Sequence, residues 1–302
     1  RIVSLVLDDK QQNLKNKKLF IEEMDKAPIA LVPDLANQQH YEIPAEFYDL
    51  CLGKNKKYSS CFWDEHTNSL DQSEDLSLEI TSEHASLGNH MDILELGCGW
   101  GSLSLWMAEN FPKSTITSVS NSTSQKNYIL SQAKKRGITN LEVITCDMND
   151  FSSSKEFDRV VSIEMIEHMR NHRKLLDTIH GWLKPGGFFM MHIFVHKSQP
   201  YLFEVQDDDD WMSQYFFSGG MMPSSDLPEM FQEKLTLEDK WRWSGTHYEK
   251  TANAWLKNID FNKDKALPVM EKIYGKSDSV KWLNRWRIFF MACAELWGYK
   301  KG

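Results

Sequence analysis

No C-x-x-C pair, no basic excess and no long apolar run occurs in this 302-residue chain. Its five cysteines, Cys51, Cys61, Cys98, Cys146 and Cys293, are odd in number and widely spaced. That argues against a disulfide scaffold or a cysteine-rich zinc site and fits a reducing compartment. With 35 basic against 43 acidic side chains the formal charge is −8. No basic stripe exists to displace counterions, so nucleic acid is not an expected partner. Nothing approaches the ~20 apolar residues that span a bilayer, and no basic–apolar–small cleavage pattern opens the chain. The expectation is a soluble, cytoplasmic protein without stable membrane insertion. Internal repeats and low-complexity tracts are missing, and so is G-x-x-x-x-G-K-[ST], which removes the phosphate cradle of nucleotide triphosphatases. The first residue is Arg rather than Met, as expected of a fragment of a longer product.

What is present is a heavy aromatic load, 11 Trp, 16 Phe and 9 Tyr, and a length that fits one large domain or two small ones. Residues 9–27 read as a polar surface helix or arm, broken by Pro28 and Pro33. PAEFYDLCL (44–52) starts with Pro and stops at Gly53, a helix signature, and 71–87 is a second amphipathic helix. From residue 91 the pattern becomes strand–helix alternation. Strands are predicted at 91–97, 115–120, 141–146, 157–163 and 188–194, and helices over 103–111, 124–136 (closed by Gly137) and 172–183. Apolar strands alternating with helices predict βαβ units and a doubly wound parallel sheet. Beyond 195 the rhythm is lost: a loop with DDDDW (207–211) and SGGMMP (218–223), a strand at 235–243, then helices near 251–258, 265–274 and 279–297. The division expected is a helical extension over 1–88, a sheet core over 89–195 and a cap over 196–302, together one integrated domain in which the cap is a lid rather than an independent unit.

ILELGCGWG (93–101) carries the most information. Gly97, Gly99 and Gly101 sit between strand and helix, where absent Cβ atoms allow a sharp turn and close approach of a ligand; a purely structural tight turn has the same pattern. Glu95 lies two residues before the first glycine. Loops at Ser120-Asn121 and Asp147-Met148 follow the next two strands, at the carboxyl edge where open α/β sheets bind cofactors. The acidic residue that would hold a nicotinamide-cofactor ribose is absent, because Asn121 stands there.

These residues resemble S-adenosylmethionine-dependent methyltransferases of the Rossmann-like class I fold. The blocks ANQQHYEIPAEFYDLCLGKNKKYSSCFW (36–63), SIEMIEHM (162–169), WMSQYFFSGGMMPS (211–224) and WRIFFMACAELWGY (286–299) resemble the plant coclaurine N-methyltransferase group. That group stands beside the cyclopropane-fatty-acid synthases and mycolic-acid methyltransferases, and the likeness covers roughly residues 28–299. It implies S-adenosylmethionine as cofactor, with Tyr58 and Ser59 over its methionine moiety and Gly97 and Gly99 at the amino-acid part. Asn121 and Gln125 would then hold the ribose, Asp147 and Met148 flank the adenine, and Ile163 line the site beneath. It also implies a final short strand after the ELWGY helix, which a chain ending at Gly302 does not contain.

The reactive centre is expected in SIEMIEHM. Glu164, Glu167 and His168 follow a strand end, and two carboxylates three apart share a face if a helical turn begins there. Amine methylation needs a nitrogen lone pair, so an ammonium must first lose its proton. The imidazole of His168 suits that task, and Glu164 and Glu167 can hold the cationic amine and relay the proton. Cyclopropane synthases typically have Cys where this chain has Ser60 and Gly where it has Glu164. Both differences favour a small, aromatic amine as substrate over a lipid alkene, with an unsaturated-lipid methylase and a non-catalytic cofactor-binding protein as the alternatives. His192 matches a His in both groups. Trp282, Trp286, Phe289 and Phe290 share a helix face and are expected to line the substrate pocket, although such spacing more often marks plain core packing. Trp241, Trp243, His247 and Tyr248 are secondary candidates. No metal is expected: His168 and His172 lack the Glu of H-E-x-x-H and a third ligand. The oligomeric state is open, a homodimer included.

Overall fold

A computed structural model describes residues 10–31, 43–205 and 210–302. Pro33, residues 36–42 of the first resembling block and Asp207, Asp208 and Asp209 lie outside them. The centre is a five-stranded parallel sheet: β1 (Asp92–Leu96), β2 (Thr115–Ser120), β3 (Leu141–Thr145), β4 (Phe157–Ile163) and β5 (Leu183–His192), in spatial order β3-β2-β1-β4-β5. β1 lies in the middle, with Ile93, Leu94 and Leu96 fully buried, the near-continuous apolar run that a strand covered on both faces requires. Register fixes the site. Leu96 stands opposite both Val119 and Ser162, and Ile163 opposite His192. The exits of β1, β2 and β4 are therefore level, and their loops open on one edge.

Helices α4 (Ser102–Asn110), α5 (Thr123–Arg136) and α6 (His172–Trp182) flank the sheet. Ser122 caps the start of α5, accepting from the Gln125 N–H, and Gly137 ends it in the left-handed conformation that glycine tolerates best, as its position predicts. N-terminal to the sheet are α1 (Lys10–Met24), α2 (Ala45–Cys51) and α3 (Leu70–His84); the C-terminal part carries α7 (Trp211–Tyr215), α8 (Gly245–Phe261), α9 (Lys263–Tyr274) and α10 (Ser279–Gly298). Phe47, Tyr48 and Cys51 of α2 pack in one cluster with Trp255 of α8 and Trp286 and Phe290 of α10. The two flanks of the sheet thus share a core.

Three expectations change. β5 starts at Leu183, earlier than 188, running through Lys184-Pro185-Gly186-Gly187 with an irregular register opposite Phe157 and Arg159. A two-residue ribbon, β6 (Tyr201–Leu202) with β7 (Met221–Met222), appears in the segment read as loop. Residues 235–243 form no strand. Their alternating aromatics find side chains instead of a ladder: Trp241 stacks on His84 at 3.9 Å and Trp243 meets the His192 ring at 4.6 Å. Among the described residues no helix is long and apolar enough to cross a membrane.

Candidate active site

At the exit of β1 the chain must turn at once, and Gly97 (φ +77°) and Gly99 (φ +51°) supply left-handed backbone. They differ in what surrounds them. A Cβ on Gly97 would come within 2.4 Å of Met165 Cγ, whereas one on Gly99 would meet nothing within 4 Å. Gly97 is needed for packing; Gly99 leaves a cradle that a side chain would fill. Below them Glu95 is buried and accepts hydrogen bonds from the hydroxyls of Ser118 (2.9 Å) and Ser104. Burial pushes its carboxyl up to about 7. Ser120 donates to Gln125 Oε1 at 2.6 Å. That leaves Gln125 Nε2, with Ser102 Oγ and Trp100 Nε1, buried and without a partner among the described residues. Buried polar groups are normally paired, so three orphans on one cavity wall fit a polar ligand.

That cavity encloses about 180 Å³. Its opposite end is built on β4. After Ile163 the chain places Glu164 in the left-handed region (φ +48°), its N–H donating to the His192 carbonyl at 2.7 Å. One carboxylate oxygen accepts from the Ser60 N–H at 2.8 Å and the other from the Tyr248 hydroxyl at 2.9 Å. Burial raises the Glu164 carboxyl above its ordinary value, and the charge of Lys57 pulls it back. A single 3₁₀ turn, Ile166–His168, then brings His168 to the cavity wall, where its ring stacks on Phe217 at 4.6 Å.

Glu167 behaves differently from its neighbours. It is fully buried and absent from the cavity wall, with one oxygen accepting from the Phe194 N–H at 2.7 Å and the other unpartnered. Burial first, and the charge of Glu164 second, hold its carboxyl well above the usual range, so it is a neutral acid. The two carboxyls do not share a face because the left-handed residue at 164 and the 3₁₀ turn replace the α-helical turn that the i, i+3 spacing presupposes.

Of the other expected residues, Tyr58, Ser59, Glu95, Gly97, Gly99, Asn121, Gln125, Asp147, Met148 and Ile163 line the cavity, and so do Phe289 and Tyr248. His192, Trp282, Trp286 and Phe290 do not. His192 is packed on Trp243, and burial with the Lys57 charge pushes it down to about 3, a neutral imidazole. Trp286 and Phe290 are fully buried in the core shared with α2. Trp282 stacks on Tyr274 at 4.2 Å, with the Arg285 guanidinium 4.5 Å from its ring. His247 accepts from the Trp63 N–H at 3.0 Å. His172 does not converge with His168: its Nε2 faces the Ile166 carbonyl at 3.2 Å, and burial brings it down to about 4. Sequence reasoning missed Lys57, Trp100, Ser102, Phe217 and Trp255 on the wall. Lys57 directly before Tyr58-Ser59, Trp100 and Ser102 at the glycine loop and Phe217 within 211–224 had local signals, whereas Trp255 had none.

A family model described as mycolic acid cyclopropane synthetase matches residues 33–301. An (S)-coclaurine N-methyltransferase of Thalictrum flavum subsp. glaucum is 34% identical over 278 residues, 91% of this chain and 77% of that protein. An (S)-coclaurine N-methyltransferase of Papaver somniferum is 35% identical over 265 residues, 87% and 76% respectively. A crystal structure of coclaurine N-methyltransferase bound to N-methylheliamine and S-adenosylhomocysteine superposes with a TM-score of 0.95 at 32% identity, covering 98% of this chain and 86% of that one.

Proposed function

The chain belongs to the mycolic acid cyclopropane synthetase family and is an S-adenosylmethionine-dependent methyltransferase, and on that premise we propose that it methylates the nitrogen of a small aromatic amine. The observation that carries this reading is that the Glu164 carboxylate and the His168 imidazole line the same cavity as the Gly97–Gly99 loop. When bound, S-adenosylmethionine supplies a methyl carbon made electrophilic by its sulfonium sulfur.

The chain's own residues do the rest. The cradle at Gly99, with Ser102, Trp100 and Gln125, holds the amino-acid and ribose end, and Asp147 and Met148 flank the base. Glu164, fixed by Ser60 and Tyr248, accepts a hydrogen bond from the amine N–H and attracts its cationic form. A ring nitrogen of His168 takes the proton, which frees the lone pair for in-line attack. Tyr58, Phe217, Trp255 and Phe289 exclude water and offer ring faces to a flat amine. Glu167 supports from beneath, tying the turn to Phe194, two residues beyond β5. The five thiols are all free, which supports a reducing compartment such as the cytoplasm. A homodimer is compatible with this reading and not required by it.

Incubating the protein with methyl-labelled cofactor and a mixed amine library, read by mass spectrometry, should give labelled N-methyl products. Label appearing in added phospholipid and in no amine would overturn the proposal. In His168→Ala, turnover should fall about 10²–10⁴-fold, the usual worth of a positioned general base, while affinity for S-adenosylhomocysteine stays within about twofold. Full activity of that variant across pH 6–9 would remove His168 as the base.

A further inference from the structure

Lys57 is only 3% exposed, yet no carboxylate lies within ion-pair distance of it among the described residues. Its ammonium donates to Ser59 Oγ at 2.6 Å and to the Ser60 carbonyl. Its own N–H donates to Glu74, which also accepts from the Gly53 and Asn55 N–H groups and so fixes the loop. The residue whose carbonyl meets the Lys57 ammonium is the one whose N–H meets the Glu164 carboxylate. Ser60 is therefore clamped between a buried cation and a buried anion on the wall of one cavity. An isolated buried ammonium costs several kcal/mol, so such a lysine needs a reason.

We infer that Lys57 is a positioning residue whose charge, set across Ser60 from Glu164, offsets that carboxylate at the acceptor end of the cavity, so that an amine is kept there as free base rather than as ammonium. The inference rests on the amine reading above. Lys57 and Glu164 are the opposite charges that flank Ser60, while burial favours the neutral forms of Glu167 and His192 beside them. Glu164 further faces Tyr248 of α8 and Cys293 of α10, both held un-ionised by burial. Lys57 faces Cys61, likewise un-ionised, and Glu74. An entering ammonium adds a second cation to a poorly solvated chamber. Passing its proton from nitrogen to His168, and from there to water, removes that added charge. Lys57 acts in two directions at once: it keeps Glu164 ionised, and it disfavours a second cation beside it.

The test uses protein saturated with S-adenosylhomocysteine and a permanently charged probe, benzyltrimethylammonium, titrated by calorimetry at matched pH values from 6 to 9. Lys57→Met should bind the probe about tenfold more tightly than the natural chain, the effect of about one pKa unit of like-charge repulsion. Lys57→Arg should bind it as the natural chain does, and both should keep S-adenosylhomocysteine affinity within about twofold. Equal or weaker probe binding in Lys57→Met, including no binding to either protein, overturns the inference. Should Lys57→Met not fold, Lys57→Gln, which keeps a donor for the Ser60 carbonyl, makes the same comparison. Failure of both to fold or to bind S-adenosylhomocysteine makes Lys57 a structural lysine and likewise overturns it. Probe binding needs no turnover, so absence of any methylated amine sinks the proposed function without touching this result. Where turnover is found, the acid limb of kcat, which reports the bound complex, should move up by about one pH unit in Lys57→Met and stay in place in Lys57→Arg.

Discussion

Glu164 and Glu167 are the same side chain three residues apart, and their surroundings give them opposite states. Glu164 has two donors and a nearby cation; Glu167 has one donor, no cation in contact and the charge of Glu164 beside it. A carboxyl already neutral loses little when replaced by the isosteric amide. Glu167→Gln should keep turnover within about fivefold, because a neutral acceptor for the Phe194 N–H remains. Glu167→Ala strands that N–H and should cost about 1–3 kcal/mol in denaturant unfolding. Glu164→Gln removes the charge that holds the amine and should lower kcat/KM by about 10²-fold. Steady-state kinetics with melts of the three variants decide this, and a Glu167→Gln as inactive as Glu164→Gln would mean that Glu167 works ionised. The motif E-x-x-E-H identified the cluster. Which carboxyl reaches the cavity depends on a left-handed backbone at Glu164, which non-glycine residues seldom adopt and no spacing rule reports.

α10 shows the same limit one level up. Its periodicity announced a helix, and the helix is there over Ser279–Gly298, but a shared face does not say what it faces. Of four aromatics expected at the substrate, only Phe289 reaches the cavity. Trp286 fills the core with Phe47 and Tyr48, and Trp282 stacks outward on Tyr274. Trp286→Ala should therefore destabilise by about 3–5 kcal/mol, and Trp282→Ala by about 0.5–1.5 kcal/mol, the worth of its stacking. Phe289→Ala is the one expected to raise the KM of the amine, and chemical unfolding with steady-state kinetics separates the three. The β1–β4 strands were legible because apolar runs such as DILEL and FDRVVSI can only be buried in a covered parallel sheet. Residues 235–243 misled because a period-2 aromatic pattern is met equally by side-chain stacking on His84 and His192. The cofactor loop was readable down to single residues, since glycines at Gly97 and Gly99 answer a backbone demand. The acceptor end was not, since Lys57, Phe217 and Trp255 come together from three distant segments.

For the whole molecule, the shared core of α2 with α8–α10 and the loop pinned by Glu74 close the cavity with groups that burial keeps uncharged, and this gives stability a definite pH slope. Glu74 and Glu95 titrate at about 7 in the folded chain against 4.5 ordinarily, and Glu167 is shifted further the same way. Acids with raised values bind more protons folded than unfolded above pH 4.5. Their contribution is thus fully present below 4.5 and is lost as pH rises through 7 and beyond. His172 and His192 pull oppositely, at about 4 and about 3 against 6.5: folded they are neutral, so stability is lost as pH falls below 6.5. At pH 6.5 the two histidines are half protonated unfolded and neutral folded, so together they return about 0.8 kcal/mol by pH 8.5, and the carboxyls outweigh them. Two carboxyls shifted to about 7 lose together about 1.5–2 kcal/mol over that interval, with Glu167 adding in the same direction. The melting temperature of the ligand-free protein should accordingly drop by several degrees from pH 6.5 to 8.5, by scanning calorimetry in buffers of equal ionic strength. Glu95→Gln should flatten that slope without reversing it. A melting temperature that rises across the interval would mean that these carboxyls are ionised in the fold, and with them the neutral surroundings on which the charge balance of Lys57 and Glu164 depends.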